Sequence, residues 1–320
     1  THLDLIAESE ALGYDNAWLT EHHFVDDGYS PSLLPIAGAI SQRTNRIRIG
    51  TFLVLLPLQN PIRLAEDSAT VDIMSNGRFD LGVGLGYRVK EFDDQGIPAA
   101  TRGRRLREGI EIMQRLLRDE CVTFEGKYNH LKDVQIVPPC VQKPNLPIWI
   151  GAIAPKAIER AAKMGCHFQV VGPPDMVEMY DGFLSDAGRN PADYNTAQLR
   201  WIHVAPSRDQ AWETAAQSLH YTASRYAEWF AKANDKPGDN LATDGIPSVE
   251  EIIKSQDFDV FGEKAMVGTP DDVSDMIADY QKRGRVTHLV CGMALSGLET
   301  HHIRNSMELF AKDVIPRFRK

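Results

Sequence analysis

Short apolar runs alternate with longer amphipathic segments along the chain. Apolar runs bounded by Gly or Pro are typical of buried strands, and apolar residues recurring every three or four positions indicate helices. The pattern predicts strands at residues 15–20, 47–56, 78–84, 147–151, 167–171, 198–205 and 287–291. It predicts helices at residues 31–42, 62–74, 101–118, 155–164, 174–187, 208–229, 270–282 and 300–310.

This alternation of strand and helix predicts the fold class. Strands separated by helices form parallel sheets, because a parallel partner is reached only through a crossover. We favour a (β/α)8 TIM barrel over a doubly wound open sheet, since the strands recur without a break in composition. The pattern opens on a helix that closes at Gly13, so we expect the first strand to precede Thr1. We expect a single domain over residues 1–320, with irregular insertions at about 121–147 and 231–264.

Composition limits the classes of partner. The formal net charge is −9, so the chain gains little from phosphate contacts and a nucleic-acid partner is disfavoured. No apolar run has the length that a membrane span requires. The four cysteines lack the spacing of metal ligands. We expect reduced thiols in a cytoplasmic protein without a membrane partner.

Candidate chemistry follows the first predicted strand, at Glu21-His22-His23-Phe24. In a TIM barrel the active site lies where strands end, and imidazole exchanges protons near neutral pH. These residues could supply acid–base catalysis. A metal site is disfavoured because adjacent side chains diverge, and ordinary packing of one histidine is the other alternative.

Two further segments carry weak signals. Gly82-Val-Gly84-Leu-Gly86-Tyr87 follows a strand but lacks the spacing of the dinucleotide-binding fingerprint. It predicts a tight strand exit approached by a planar ligand. Gly151-Ala-Ile-Ala-Pro155 precedes a helix, whose first N–H groups can attract phosphate.

Taken in order, several motifs resemble those of the bacterial luciferase-like monooxygenases. They are Glu21-His-His-Phe24, Gly50-Thr51, residues 60–67, residues 74–79, Gly84–Tyr87 with Glu91-Phe92, and Val267-Gly-Thr-Pro270. The segment from Cys291 to Pro316 is similar to the luciferase subunits themselves. The resemblance spans nearly the whole chain and independently implies a TIM barrel.

The resemblance implies an FMN-dependent monooxygenase. Reduced FMN would come from a separate flavin reductase, and O2 would add to it as a C4a-peroxyflavin that oxygenates a small organic substrate. Candidate substrates include aldehydes, ketones, terpenes and sulfonates. Two alternatives stay open: hydride transfer with the deazaflavin F420, whose branch tends to have Asp-His at the first site, and a non-catalytic flavin-binding subunit, which His22 disfavours.

The resemblance also assigns residues. His22 matches the catalytic histidine beside the flavin. Phe52-Leu53 matches a strand end that packs on the flavin ring, often through a non-proline cis peptide. The positions matched to the cofactor pocket are Phe52, Leu53, Gly84, Gly86, Tyr87, Glu91, Ala152, Ile153 and Ala154.

Some positions depart from the family pattern. The phosphate site at Ala152–Ala154 lacks the usual Ser, and the luciferase Arg near Leu85 is absent; Arg88 is a candidate substitute. We therefore expect weak FMN retention. The resemblance further implies a mobile lid at residues 231–264 and a homodimer formed through the helices at 31–42 and 61–74.

Overall fold

The computed structural model describes residues 2–232 and 245–319, the side chain of Lys232 excepted. The α-helices are α1 (His2–Leu12), α2 (Leu33–Ser41), α3 (Pro61–Met74), α4 (Val89–Asp93), α5 (Arg102–Leu116), α6 (Pro155–Lys163), α7 (Asp175–Asp186), α8 (Arg208–Lys232), α9 (Val249–Ser255), α10 (Pro270–Arg283), α11 (Thr300–Asp313) and α12 (Ile315–Phe318). The strands are β1 (Asn16–Leu19), β2 (Arg48–Thr51), β3 (Val54–Leu55), β4 (Phe79–Gly84), β5 (Val122–Glu125), β6 (His130–Val134), β7 (Ile148–Gly151), β8 (His167–Val170), β9 (Thr196–Val204), β10 (Asp259–Val260), β11 (Glu263–Lys264), β12 (Met266–Gly268) and β13 (His288–Gly292).

The described residues divide into two compact units that interleave along the chain. The first contains residues 2–10, 14–152 and 160–169, and the second contains residues 11–13, 153–159, 170–232 and 245–319. A single domain over residues 1–320 stays a prediction.

The first unit contains a parallel sheet in the order β1-β2-β4-β7-β8. Asn16 pairs with Arg48, Ile49 with Phe79, and Leu81 with Ile148. Every residue of β4 is buried, as expected for a strand covered on both faces. The sheet brings the carboxyl ends of β1, β4 and β7 to the same edge.

The predicted strand at 47–56 is interrupted. β2 pairs with β4 up to Gly50 opposite Asp80, and β3 resumes the pairing at Val54 opposite Val83. Residues 51–53 therefore lie opposite only residues 81–82, which makes a β-bulge in a parallel pair. We call residues 51–53 the bulge. Bulges redirect the side chains that they carry and are frequent beside active sites.

The second unit is built on β9. Its first half pairs in parallel with β13, and its second half pairs in parallel with β12. Trp201 on β9 and Trp212 on α8 belong to a buried apolar cluster that also contains Phe258. The pattern did not predict β12, because this strand has only three residues and leads directly into the Thr269-Pro270 start of α10.

Both predicted insertions contain regular structure. Residues 121–147 include the antiparallel β5–β6 hairpin, which the prolines of this region obscured. Residues 245–264 form α9 and the β10–β11 hairpin, with Ile252 and Val260 buried. Residues 233–244 of the predicted lid lie outside the described residues, and the lid function stays a prediction. The segment between β4 and α5, where the pattern predicts neither helix nor strand, contains the short helix α4.

Several helix starts agree with their capping chemistry. Asn60 accepts hydrogen bonds from the N–H groups of Ile62 and Arg63 at the start of α3. Thr269 and Asp272 form a reciprocal capping box at the start of α10. Within the described residues, no helix combines the length and the apolar character that a bilayer crossing demands.

Candidate active site

The loop after β1 is anchored immediately beyond the strand. Glu21 and Ser30 form an isolated parallel bridge, and the His22 N–H donates to the Ser30 carbonyl at 3.2 Å. Glu21 and His22 are both buried, with 5% and 7% of their surfaces exposed. The loop therefore places the predicted acid, Glu21, and the predicted imidazole, His22, in the protein interior.

His22 is paired with Glu91. Its Nδ1 lies 3.1 Å from Glu91 Oε1, and Glu91 is only 1% exposed. Glu91 lies on α4, which also buries Phe92 completely beside Leu55 and Leu58. Burial of the Phe92 side chain fixes the orientation of this short helix, and the adjacent Glu91 carboxylate then faces the His22 imidazole.

Two more donors converge on the same carboxylate oxygen. The His23 N–H donates to Glu91 Oε1 at 3.0 Å, and Arg88 Nη1 donates to it at 3.0 Å. Burial alone would raise the pKa of Glu91, but the His22 hydrogen bond, the His23 N–H and the Arg88 charge outweigh it, and the pKa is lowered. Glu91 is thus a carboxylate at neutral pH.

The ionised Glu91 selects the tautomer of His22. A carboxylate accepts hydrogen bonds only, so His22 Nδ1 is the donor in this contact, and in a neutral imidazole Nε2 is then the acceptor nitrogen. The rings of Tyr29 and Tyr87 stand edge-on to the imidazole, at centroid distances of 4.8 and 5.9 Å. Burial, followed by the charge of Glu91, raises the pKa of Tyr87 well above its usual value, so its hydroxyl stays protonated. This arrangement can accept or donate a proton at Nε2.

A second imidazole–carboxylate pair lies alongside. His23 Nε2 lies 3.0 Å from Glu21 Oε1, and the same oxygen accepts the Leu55 N–H at 3.3 Å. The hydrogen bond to Glu21 raises the pKa of His23, and burial opposes it. Glu21 therefore links the histidine loop to β3, directly after the bulge.

The bulge carries Phe52 and Leu53, immediately before β3, where Glu21 accepts the Leu55 N–H. The Phe52–Leu53 peptide bond is cis, as the resemblance implied. Leu53 is half-buried, and its side chain fills the space left by two glycines: a Cβ on Gly84 would lie 2.4 Å from Leu53 Cδ1, and a Cβ on Gly151 would lie 2.0 Å from Leu53 Cδ2. Leu53 is thus held by the ends of β4 and β7.

Comparison with known proteins agrees with this geometry. The family profile for luciferase-like monooxygenases matches residues 1–287. This chain belongs to the luciferase-like monooxygenase family.

Relatives of two kinds are found in this family. The oxygenase component of a flavin-dependent trigonelline monooxygenase from Acinetobacter baylyi is 26% identical, covering 99% of this chain and 89% of the relative. An F420-dependent glucose-6-phosphate dehydrogenase from Microbacterium testaceum is 29% identical, covering 99% of this chain and 93% of the relative. The crystal structure of the monooxygenase RslO1 from Streptomyces bottropensis is 26% identical with a TM-score of 0.82, over 99% of this chain and 92% of that chain.

These matches confirm the predicted (β/α)8 TIM-barrel fold class. They also identify the chain as an enzyme, an oxidoreductase of the luciferase-like family. Some of the relatives use a flavin and others use F420. The comparisons therefore do not decide between these two cofactors.

The luciferase-like motif Gly84–Tyr87 has a packing role in this structure. The space above Gly84 is taken by Leu53, and a Cβ on Gly86 would lie 3.0 Å from the Phe92 ring. Gly86 also has a φ of 73°, which favours glycine. These glycines admit neighbouring side chains, and their contact with a cofactor stays a prediction.

The predicted phosphate site lies at the β7–α6 connection. The Ala152 N–H donates to the Gln169 carbonyl at 3.3 Å, and the Ala154 carbonyl accepts from the N–H groups of Ala157 and Ile158 as α6 begins. Ile153 is 39% exposed. Phosphate binding at Ala152, Ile153 and Ala154 stays a prediction.

Arg88 has a different role from the phosphate contact considered for it. It is 8% exposed, and its Nη1 donates to Glu91 and to the His23 carbonyl at 2.8 Å. Sequence reasoning placed Glu91 at the pocket but did not pair it with His22, and it did not single out Tyr29. The spacing of Arg88 and Glu91, one helical turn apart, indicated that these two residues could pair, but it did not indicate His22 as a partner.

Proposed function

We propose that this chain is the oxygenase component of a two-component, FMN-dependent monooxygenase. A separate flavin reductase supplies reduced FMN, and O2 and a small organic molecule are the other substrates. The observation that carries the proposal is the buried His22–Glu91 pair at the end of β1, which Glu21 links to the bulge carrying Phe52 and Leu53.

The residues fit a flavin ring. Ligand pockets combine apolar walls with a few oriented polar groups. Here Leu53 offers a half-buried apolar surface, and His22 lies beside two tyrosine rings with its tautomer fixed by Glu91. Phe52, Leu53, Gly84, Gly86, Tyr87 and Glu91 would line the ring, and the backbone of Ala152–Ala154 would hold the phosphate. Reduced FMN, when bound, supplies the electrons that activate O2.

His22 moves the proton in this scheme. Nδ1 is committed to Glu91, so Nε2 is the atom that exchanges a proton with the reacting groups. Arg88 and the His23 N–H keep Glu91 ionised, and this maintains the tautomer through a turnover. His22 is 7% exposed and its imidazole has the Tyr29 and Tyr87 rings beside it, which limits its access to water.

Hydride transfer with F420 is the second candidate, because the F420-dependent relative is as similar as the monooxygenases. An anaerobic titration with reduced FMN and reduced F420 in parallel separates the two. We expect tighter binding of FMN and, with a flavin reductase and a substrate panel, a product that incorporates 18O from O2. Preference for F420 with no O2 uptake would contradict the monooxygenase proposal.

A His22→Ala variant tests the catalytic role of the site. We expect it to retain reduced FMN and to lose substrate oxygenation, because the substitution removes the proton-exchanging imidazole and leaves the proposed ring contacts of Phe52 and Leu53 in place. Unchanged turnover would support the non-catalytic alternative instead.

We also propose a homodimer formed through α2 and α3. Ile73 and Met74, at the end of α3, are 37% and 42% exposed despite being apolar. Light scattering after size exclusion tests this: we expect a dimer that dissociates in the double variant Ile73→Asp/Met74→Asp. A wild-type monomer would contradict the proposal.

A further inference from the structure

The bulge lacks part of the backbone ladder that joins β2, β3 and β4. Pairing stops at Gly50 opposite Asp80 and resumes at Val54 opposite Val83. Between these points, side chains replace the ladder. Thr51 Oγ1 donates to the Gly82 carbonyl at 2.7 Å and accepts the Gly82 N–H at 2.8 Å.

The remaining contact comes from a strand further along the sheet. Gln169, on β8, is completely buried, and its Nε2 donates to the Thr51 carbonyl at 2.9 Å. The opposite orientation of the amide would place two acceptor oxygens together, so this assignment is the favourable one. Thr51 is likewise completely buried, and the contact therefore takes place away from water.

Gly82 makes this contact possible. A Cβ at this position would lie 1.9 Å from the Thr51 carbonyl oxygen, 2.5 Å from Gln169 Oε1 and 2.7 Å from Gln169 Nε2. Only glycine leaves room for the carbonyl and the amide to meet. Gly82, Thr51 and Gln169 thus form one packed, hydrogen-bonded group of residues from three different strands, which we call the lock. Thr51 of the lock immediately precedes Phe52 and Leu53.

The lock costs free energy in one respect. Gln169 Oε1 is buried and has no hydrogen-bond partner among the residues that the structure describes. A buried acceptor without a donor is unfavourable, and an apolar side chain of similar volume would avoid that cost. The amide is therefore explained by what its Nε2 does at Thr51 and not by its own hydrogen-bonding needs.

We propose that Gln169 is a positioning residue for the flavin: by holding the Thr51 carbonyl, it sets the position of the Phe52–Leu53 segment on which the flavin ring rests. This inference rests on the proposed function. Gln169 acts only through its hydrogen bond to the Thr51 carbonyl, and the contact with the flavin is made by Phe52 and Leu53.

Two substitutions test the inference by anaerobic equilibrium dialysis with reduced FMN. Gln169→Leu keeps the volume and removes the donor, so we expect FMN to bind at least tenfold more weakly. The matched control is Gln198→Leu, since Gln198 is an equally buried amide on β9 whose Oε1 accepts from Tyr280. The control should show a similar fall in Tm with an unchanged Kd for FMN. Equal Kd values for Gln169→Leu and wild type would overturn the inference.

Gln169→Glu adds a readout that a merely structural role would not move. A protonated Glu can donate to the Thr51 carbonyl as the amide does, whereas a carboxylate cannot. We expect the ratio of variant to wild-type Kd to approach one at low pH and to rise at least tenfold as the buried Glu ionises. A ratio that is independent of pH would overturn the inference, and this test holds even if Gln169→Leu fails to fold.

Failure of the two proposals can be told apart. If wild type binds reduced FMN and all Gln169 variants bind it equally, the proposed function stands and the positioning role falls. If wild type binds neither reduced FMN nor reduced F420, both proposals fall together.

Discussion

At the scale of single residues, Glu91 Oε1 is the atom where the hydrogen bonds of the site converge. It accepts from His22 Nδ1, from the His23 N–H and from Arg88 Nη1. Three charge-assisted contacts on one oxygen keep the carboxylate ionised although it is almost fully buried. The charge state of one carboxylate thereby fixes the tautomer of the proposed catalytic imidazole.

Neutralising this carboxylate should impair catalysis more than folding. In Glu91→Gln the amide no longer selects the Nδ1–H tautomer, and we expect kcat/KM to fall by about 100-fold, in the range of general acid–base contributions. The matched control is Glu108→Gln, because Glu108 is also buried and accepts the N–H groups of Lys127 and Tyr128. The control should lose stability with kcat/KM within a few-fold of wild type. Equal losses of activity in both variants would refute the special role of Glu91.

The pair formed by His23 and Glu21 should make stability depend on pH. The hydrogen bond to Glu21 raises the pKa of His23 above its ordinary value of 6.5, with burial opposing. A raised pKa in the folded state stabilises the fold fully below the unfolded pKa, and this stabilisation disappears as pH rises through the folded pKa. The difference in unfolding free energy between wild type and Glu21→Gln should therefore be largest near pH 6 and decline toward alkaline pH.

Denaturant unfolding at several pH values measures this difference. In a His23→Gln background, the effect of Glu21→Gln should not vary with pH over the same range, because the titrating imidazole is gone. A wild-type difference that grows as pH rises would contradict the assignment of the shift to this pair.

At the scale of elements, the sheet of the first unit depends on where glycine is placed in β4. Gly82→Ala would drive a Cβ to 1.9 Å from the Thr51 carbonyl oxygen, which is backbone and cannot swing aside. We expect a loss of about 3 kcal/mol or more in unfolding free energy, at the upper end of overpacking effects. Chemical denaturation of the purified variant measures it.

Gly103→Ala is the control for this prediction. Gly103 is the second residue of α5 and has nothing within 4 Å of its would-be Cβ, so alanine should be tolerated and should stabilise the protein by at most about 0.5–1 kcal/mol through helix propensity. If Gly82→Ala were tolerated as well as Gly103→Ala, the tight contact with Thr51 would be contradicted.

The same elements explain how far the sequence could predict this structure. The strand at 78–84 and the helix at 62–74 were predicted because hydrophobic periodicity and capping are local. The division of the strand at 47–56 was not, because it depends on Gly82 and Gln169, which lie far away in the chain. His22 was found from its place after a strand, whereas its pairing with Glu91 depends on α4, a helix too short to show a period.

At the scale of the whole molecule, the four cysteines differ in their environments. Cys121 is exposed, whereas Cys140 and Cys166 are buried. Burial raises the pKa of Cys140 and of Cys291 to about 12, so these thiols hold their protons at neutral pH. Since the thiolate is the reactive form, the folded protein should protect most of its thiols.

Thiol titration with an aromatic disulfide measures this protection. We expect one thiol to react rapidly in the folded protein and all four in denaturant. Cys121→Ser should abolish the rapid phase and leave the slow ones unchanged. A rapid phase that persists in this variant would place a reactive thiol elsewhere.

Leu53, Gly84 and Gly151 share one volume, and this affects how the proposed flavin pocket could be redesigned. A side chain added at either glycine would occupy the position of the Leu53 side chain. Saturation mutagenesis at one position at a time would therefore score both glycines as immutable. A library that reduces position 53 while enlarging position 84 or 151 would keep the total volume and move the apolar surface from one strand end to another. Directed evolution of substrate range would gain most from varying these three codons together.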